Sequence, residues 1–175
     1  MRPAVIVVLS LLLAGCAAMQ PSTDTTATAD LRNGSGQSVG TVQLTQVGNA
    51  VRIVLDAKGV PPGLHGVHIH AVGKCDPPDF TSAGPHFNPT GKQHGALNPQ
   101  GSHAGDLPNL NVAADGSGRF ETATEQITLG AGATSVWDTD GSALVIHAAP
   151  DDFKTDPTGN SGARIACGVI TKSPK

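Results

Sequence analysis

Short runs in which apolar and polar residues alternate are the feature of this sequence that most restricts its fold. Val42 and Leu44 in TVQLTQV and Val67 and Ile69 in GVHIHAV are spaced two residues apart. A period of two indicates β-strands with one buried face. Later runs of the same kind are VRIVLDA, FETATEQITL, GSALVIHA and ARIACGVIT. No window keeps the apolar period of an α-helix, so the sequence predicts an all-β fold.

Turn residues separate these runs, and two longer interruptions break the pattern. The 22 glycines and 13 prolines in 175 residues exceed average usage. About seven or eight short strands joined by such turns favour an antiparallel sandwich or Greek-key barrel. The strand pattern stops from Gly73 to about Leu110 and again from Ala148 to Ala163. Because long ordered loops in a compact domain are usually functional, we expect these two loops to carry the chemistry.

The N-terminal residues have the pattern of an export signal. Arg2 precedes an apolar stretch, residues 4–13, that is too short to span a bilayer as a mature helix. The run Leu13-Ala14-Gly15-Cys16 resembles the bacterial lipobox. We therefore expect residues 1–15 to be removed as a lipoprotein signal peptide and Cys16 to be acylated. A simple signal peptide with an incidental Cys16 is the alternative.

The remaining sequence predicts a tether and a single domain. Residues 16–29 lack hydrophobic periodicity and predict a flexible lipid-anchored tether, and residues 30–175 then form the domain. This arrangement predicts a periplasmic protein of the bacterial cell envelope that contacts a membrane only through its lipid. The formal charge of −3 and the absence of tyrosine leave neither a basic patch nor a stacking surface for nucleic acid.

All seven histidines lie in the two long loops or at the strand ends beside them. His68 and His70 are two residues apart on a predicted strand, so both imidazoles project from the same face. His147 ends another predicted strand and can supply a third nitrogen. An all-nitrogen set suits copper, because imidazole is a good ligand for Cu(II). The predicted copper ligands are His68, His70, His86 and His147.

The first long loop offers a second ligand set. Three imidazole nitrogens and one carboxylate suit the closed tetrahedral coordination of a structural zinc ion. The predicted zinc ligands are His86, His94, His103 and Asp106. His86 can serve both sets only if its two ring nitrogens bind different metals. The sequence therefore predicts one copper and one zinc per chain.

Six segments that include these histidines resemble the successive signatures of the copper-zinc superoxide dismutase family, in its bacterial lipoprotein form. They are GLHGVHIHAVGKCD, SAGPHFNP, KQHG, SHAGDLPNL, ALVIHAAPDD and GNSGARIACGVI. The resemblance implies an eight-stranded antiparallel Greek-key barrel and the same metal ligands. It also implies dismutation of superoxide to dioxygen and hydrogen peroxide by a redox-cycling copper, which His86 bridges to a structural zinc. His86 would also carry a proton.

The resemblance assigns roles to two residues outside the ligand sets. Arg164 occupies the position of an arginine beside copper, where a permanent charge attracts a small anion. Asp151 matches a carboxylate that joins one copper-bound and one zinc-bound histidine, His68 and His94, and fixes their ring orientation. A homodimer is compatible with the resemblance. Lys154 is the sole lysine of the second loop, so attraction of superoxide is expected to depend on Arg164.

Cys75 and Cys167 are the two cysteines that remain once Cys16 is set aside. Because export implies an oxidising compartment, this even pair predicts a disulfide, with two buried free thiols as the alternative. By the resemblance, the bond would fasten the first loop to the last strand, close to Arg164.

A non-catalytic exported protein that binds copper and zinc is the alternative function. Storage or transfer of a metal ion requires neither a bridging His86 nor a neighbouring Arg164, so the complete constellation favours the enzyme.

Overall fold

The structure is a computed structural model that describes residues 25–173. The predicted signal peptide, Cys16 and the first part of the predicted tether lie outside the described residues. The strands are β1 (Thr26–Asn33), β2 (Ser38–Val47), β3 (Ala50–Lys58), β4 (Gly63–His65), β5 (Val67–His70), β6 (Leu110–Val112), β7 (Ser117–Thr124), β8 (Ala143–His147), β9 (Arg164–Val169) and β10 (Thr171–Lys172). One 3₁₀ turn spans Thr81–Ala83. Within the described range, no helix is long and apolar enough to cross a membrane.

All ten strands belong to one antiparallel sheet that curves into a nearly closed barrel. Neighbouring strands follow the order β4-β6-β7-β3-β2-β1-β9-β8-β5, and β10 pairs with β1. The two end strands, β4 and β5, are consecutive in the chain and are separated only by Gly66. The pairings of β3 with β7 and of β1 with β9 join strands that are distant in sequence, as Greek-key connections do. The predicted all-β barrel class is confirmed.

The ten strands form eight continuous segments, the number of strands that the resemblance implies. Gly66 alone separates β4 from β5, and Ile170 alone separates β9 from β10, so each pair continues along one segment. At Gly66, a Cβ atom would lie 2.8 Å from Ser161 Cβ and 3.4 Å from Asp151 Cβ. Only glycine therefore allows the second loop to approach the chain this closely at the interruption.

Alternating burial of side chains explains why the central segments form strands. Ile53 and Leu55 of β3 are fully buried in the barrel core, whereas Arg52 and Asp56 are exposed. The exposed side chains form cross-strand ion pairs with β7, Arg52 with Glu121 and Asp56 with Arg119. These surface pairs add little stability, so the fold depends on the inward apolar face.

Two predicted boundaries are wrong. β1 begins at Thr26, four residues before the predicted domain start, because Ala27 and Ala29 alternate inward and are each only 1% exposed. Alanine gives a weak apolar signal, which is why this segment looked like part of the tether. The predicted strand FETATEQITL ends early, at Thr124. Ile127 and Leu129 are buried as part of a loop.

The two long loops cover one outer face of the barrel. β5 is buried on both faces, because Val67 and Ile69 belong to the core while His68 and His70 point to the other side. β8 is buried in the same way. The polypeptide from Ala71 to Asn109 contains only the 3₁₀ turn and isolated bridges, and residues 148–163 contain no strand. The histidines of β5 and β8 therefore lie between a rigid sheet and a layer of loops.

A disulfide fastens this layer to the sheet. Cys75 of the first loop is bonded to Cys167 of β9, 92 residues further along the chain. The bond lies beside a small apolar cluster that is separate from the barrel core and contains Phe80, Ala83, Ala143 and Val145. Closing a loop of this length stabilises a protein by roughly 4 to 5 kcal/mol in the chain-entropy model. The predicted disulfide is confirmed.

Candidate metal centre

Four histidines converge where the first loop crosses β5 and β8. One ring nitrogen from each lies within 4.8 Å of those of the others, and all four side chains are buried. The four residues are His68, His70, His86 and His147. The Nε2 atoms of His70 and His147 are 3.4 Å apart. His68 Nδ1 and His86 Nε2 are buried without a hydrogen-bond partner in the described part of the chain.

The other ring nitrogens of three of these histidines are fixed from outside. His68 Nε2 donates to Asp151 Oδ2 at 2.7 Å. His70 Nδ1 lies 2.9 Å from the carbonyl oxygen of Gly84, and His147 Nδ1 lies 3.1 Å from that of Gly162. Each contact keeps a proton on the outer nitrogen and leaves the inner nitrogen with a free lone pair. These three histidines therefore present free lone pairs to the centre of the cluster, where the unpartnered Nε2 of His86 can supply a fourth, and four nitrogens suit a copper ion.

A second group surrounds the carboxylate of Asp106. Its Oδ1 atom is 3.1 Å from His86 Nδ1, 3.0 Å from His94 Nδ1 and 3.4 Å from His103 Nδ1. Its Oδ2 atom accepts hydrogen bonds from the backbone N–H groups of Gly95 and His103. Three imidazole nitrogens and a carboxylate oxygen thus face one another, which suits zinc. His68 also lies close to this group, because one ligand atom each of His68, His86, His94 and Asp106 lie within 4.8 Å of one another. His103 joins the group through its contact with Asp106.

His86 belongs to both groups. Its Nδ1 atom points to Asp106 and to His103 Nδ1, 3.4 Å away, while its Nε2 atom points to the four-histidine group. The ring stacks on His68 with a centroid distance of 3.9 Å. The structure therefore brings all of the predicted ligands together around one shared ring.

Asp151 joins the two groups from the second loop. One carboxylate oxygen accepts from His68, and the other lies 3.0 Å from His94 Nε2. Both of these contacts are fully buried. Asn109 holds Asp151 in place through two backbone hydrogen bonds of 2.9 Å. Asp151 therefore lies where the sequence predicted a carboxylate between His68 and His94.

Gly159 allows this bridge to pack tightly. A Cβ atom at this position would overlap the carboxylate of Asp151 and lie 2.6 Å from His94 Nε2. Its φ of +62° also lies in the region that favours glycine. Any larger residue would have to displace the bridge.

Burial keeps the four-histidine cluster neutral. It lowers the pKa of His68, and it lowers the pKa of His86 to about 4. Burial with repulsion from His86 lowers the pKa of His70 to about 2, and burial with repulsion from His68 lowers that of His147 to about 3. Neutral imidazole is the form that binds a metal, so these residues need no deprotonation near neutral pH.

The residues around Asp106 favour charged forms, whereas the four histidines are neutral. Burial alone would raise the pKa of Asp106, but hydrogen bonds to His103, His86 and His94 outweigh it and hold that pKa well below its usual range. Burial likewise opposes the charged form of His94, yet its contacts with Asp106 and Asp151 raise its pKa to about 9. The metal-free protein therefore pairs a charged His94 with two carboxylates at neutral pH.

A cavity of about 1120 Å³ opens this centre to solvent. His70, His86, His103 and His147 are part of its wall, and Arg164 lies beside them. The guanidinium of Arg164 donates from Nη1 to the carbonyl oxygen of Phe80 at 2.7 Å and from Nη2 to that of Gly84 at 2.6 Å. Its permanent charge is thereby held at the cavity that leads to the histidine cluster.

Lys92 also lines this cavity, although no sequence motif predicted a role for it. Lys154, the sole lysine of the second loop, is not among the described residues of the cavity wall. The available signal was position, because Lys92 lies two residues before His94. Asp138 and Asp156 line the cavity as well, so its charges are of both signs.

Comparison with known proteins gives a consistent result. Residues 38–170 match the family model for copper/zinc superoxide dismutase. Superoxide dismutase [Cu-Zn] 1 of Aquifex aeolicus is 49% identical over 81% of this chain and 85% of its own length. Superoxide dismutase [Cu-Zn] of Caulobacter vibrioides is 46% identical over 82% of this chain and 84% of its own. The crystal structure of a SOD-like protein from Bacillus subtilis superposes with a TM-score of 0.78 at 43% identity, covering 81% of this chain and 96% of that one.

The match extends over most of the barrel and both loops, and the two ligand groups suit the metals for which the family is named. Superoxide is the corresponding substrate, and copper and zinc are the cofactors. These observations favour the enzyme over the alternative of a non-catalytic metal-binding protein. The chain belongs to the copper/zinc superoxide dismutase family and is a superoxide dismutase of the copper-zinc type.

Proposed function

We propose that this enzyme dismutates superoxide at a copper ion that His86 bridges to a structural zinc ion. The observation that carries the proposal is the orientation of His86, whose two nitrogens point to two different ligand groups. The buried, unpartnered Nε2 atom supports the same assignment, because a buried polar atom without a partner is costly unless a ligand satisfies it. Such an atom fits a metal ligand.

The ligands of each metal are assigned from the ring nitrogens that are left available to bind it. Copper is assigned to the inner nitrogens of His68, His70, His86 and His147. Zinc is assigned to His86, His94, His103 and Asp106. Zinc has no accessible redox change, so its contribution is structural. Asp151 orients one histidine in each set.

Copper, when bound, supplies the one-electron chemistry, so that two superoxide anions and two protons become dioxygen and hydrogen peroxide. His86 Nε2, which is buried among the four histidines, would hold a proton whenever it is not bound to copper and would donate it to the peroxide product. Its Nδ1 atom remains directed at Asp106, which keeps the ring in place during this transfer.

Arg164 and Lys92 attract the substrate. Both line the cavity, and superoxide is an anion that a local positive potential concentrates near the metal. Arg164 is fixed by two carbonyl groups, so it offers donors in a constant position. Lys92 adds charge at the cavity wall. Arg164 is therefore assigned to binding and Lys92 to capture.

We also propose that the enzyme is lipid-anchored through Cys16 on the periplasmic side of the cell envelope. This assignment rests on the sequence, because Cys16 lies outside the described residues. It is supported by the Cys75–Cys167 disulfide, since disulfides persist in oxidising compartments.

The ligand assignment predicts about one copper and one zinc per chain in the purified protein. His147→Ala removes one copper nitrogen, so we expect copper content and superoxide-removing activity to fall to the level of the metal-free protein while zinc is retained. Metal analysis and a dismutase assay on the same sample measure this. Lys154→Gln, outside the cavity wall, should keep both metals. Full activity in His147→Ala, or in metal-free protein, contradicts the proposal.

The raised pKa of His94 predicts proton release when zinc binds. His94 is charged below about pH 9, and a zinc-bound imidazole is neutral, so metal-free protein should release about one proton from His94 per zinc at pH 7.5 and none well above pH 9. Calorimetric titration in buffers of different ionisation enthalpy counts the protons. The same shift stabilises the metal-free fold below about pH 6.5, and that contribution is lost as the pH rises through 9.

A matched variant tests the cause of this shift. Asp151→Asn removes one of the two charges that raise the pKa of His94, so proton release should cease at a lower pH than in the wild type. If zinc binding releases no proton at pH 7.5 in the wild type, His94 is not charged in the metal-free protein.

The charge assignment predicts salt-dependent capture. Lys92→Gln should lower kcat/KM about two-fold at low ionic strength, as for a unit charge about 10 Å from the anion in water. The difference should nearly vanish near 1 M salt, where the Debye length is roughly 3 Å and a charge about 10 Å away is strongly screened. Lys154→Gln is the matched control and should leave kcat/KM unchanged. Equal effects of the two substitutions would show that Lys92 acts only through net charge.

The anchor assignment predicts that Cys16→Ser yields an enzyme that no longer partitions into detergent with the membrane fraction. Dismutase activity should be unchanged, because Cys16 precedes β1 and belongs to neither ligand group. Fractionation and fatty-acid labelling of the two proteins measure this. Unlabelled wild-type protein would instead support the simple signal peptide.

A further inference from the structure

The histidines of the two ligand groups share one arrangement, and Asp156 extends it to His103. Each imidazole that points one nitrogen at a ligand group has its other nitrogen beside a fixed acceptor. Asp151 serves His68 and His94, and main-chain carbonyls serve His70 and His147. His86 uses both nitrogens inward. His103 remains, with Nδ1 turned to Asp106 and Nε2 turned away.

Asp156 lies at that outer nitrogen. Its Oδ1 atom is 3.8 Å from His103 Nε2 and accepts a 2.6 Å hydrogen bond from the backbone N–H of His94. Asp156 belongs to the second loop, whereas His94 and His103 belong to the first. One carboxylate oxygen thus contacts two of the four residues assigned to zinc.

We propose that Asp156 is a positioning residue for zinc, an inference that rests on the zinc assignment made above. The hydrogen bond to His94 fixes the backbone from which that ligand projects. The same carboxylate oxygen lies 3.8 Å from His103 Nε2, on the outer side of a ring whose Nδ1 faces Asp106, so it also helps to hold that ring in place. Asp156 therefore positions both His94 and His103 for zinc.

Asp152, another acidic residue of the second loop, does not have this role. Its carboxylate accepts from the backbone N–H groups of Lys154 and Thr155, from the Thr155 hydroxyl and from the Asn160 amide. All of these partners lie in the same loop, so Asp152 closes its own turn. Asp156 instead reaches across to the other loop.

Loss of zinc from the loaded enzyme to a chromophoric chelator tests the proposal. Asp156→Ala removes both contacts and should weaken zinc binding by about 10-fold to 100-fold, the usual effect of removing an outer partner of a metal ligand. Asp156→Asn keeps an acceptor for His94 but loses the charge, so its zinc affinity should lie between the two. Asp152→Asn is the matched control and should retain zinc like the wild type. Circular dichroism checks that each variant is folded.

The backbone amide of His94 provides a readout that general loosening would not change in the same pattern. Proton NMR of the zinc-free proteins should show this amide shifted downfield by its 2.6 Å hydrogen bond in the wild type and in Asp152→Asn, less shifted in Asp156→Asn, and at an ordinary position in Asp156→Ala. Wild-type zinc affinity and an unchanged His94 amide signal in Asp156→Ala would overturn the role of Asp156 alone. A wild-type enzyme that holds no zinc would overturn the zinc assignment together with it.

Discussion

The buried carboxylate of Asp151 is the interaction on which the rest of the site depends. It is fully buried and accepts from two histidines that belong to different ligand groups and different segments of the chain. A buried charge is tolerated only with such partners, and removing one partner leaves the other uncompensated. The requirement fixes β5, the first loop and the second loop relative to one another. Asn109 and Gly159 are consequences of the same requirement, since one holds the backbone of Asp151 and the other leaves room for it.

Metal binding and ordering of the loops are coupled in this arrangement. The sheet supplies His68, His70 and His147 from rigid strands, so most of one ligand group exists wherever the barrel is folded. The other group is drawn almost entirely from the first loop and contains several charges. Without a metal, its charges must satisfy one another, as His94 does with Asp106 and Asp151. The copper side is therefore the more preorganised of the two, and the zinc side gains more order from its ion.

The sequence predicted those features that have a residue-type signature. Period-two alternation located β2, β3 and β5, and the clustering of histidines identified every residue that the structure brings to the two groups. Features without such a signature were missed. β1 began too late in the prediction because its inward positions include alanine. The acceptors for His70 and His147 are main-chain carbonyls, which any residue possesses. Lys92 and Asp156 are ordinary charged residues whose importance comes only from what the folded loops place beside them.

The carbonyl oxygen of Gly84 accepts from His70 Nδ1 and from Arg164 Nη2. A copper-assigned imidazole and the cation that attracts the substrate thus share one acceptor atom. Substitutions that alter either residue should therefore be epistatic, because each changes the hydrogen bonding available to the other. Evolution of this enzyme toward a different redox potential would also alter how it captures anions. This link runs through Arg164, whereas Lys92 can change anion capture without affecting Gly84.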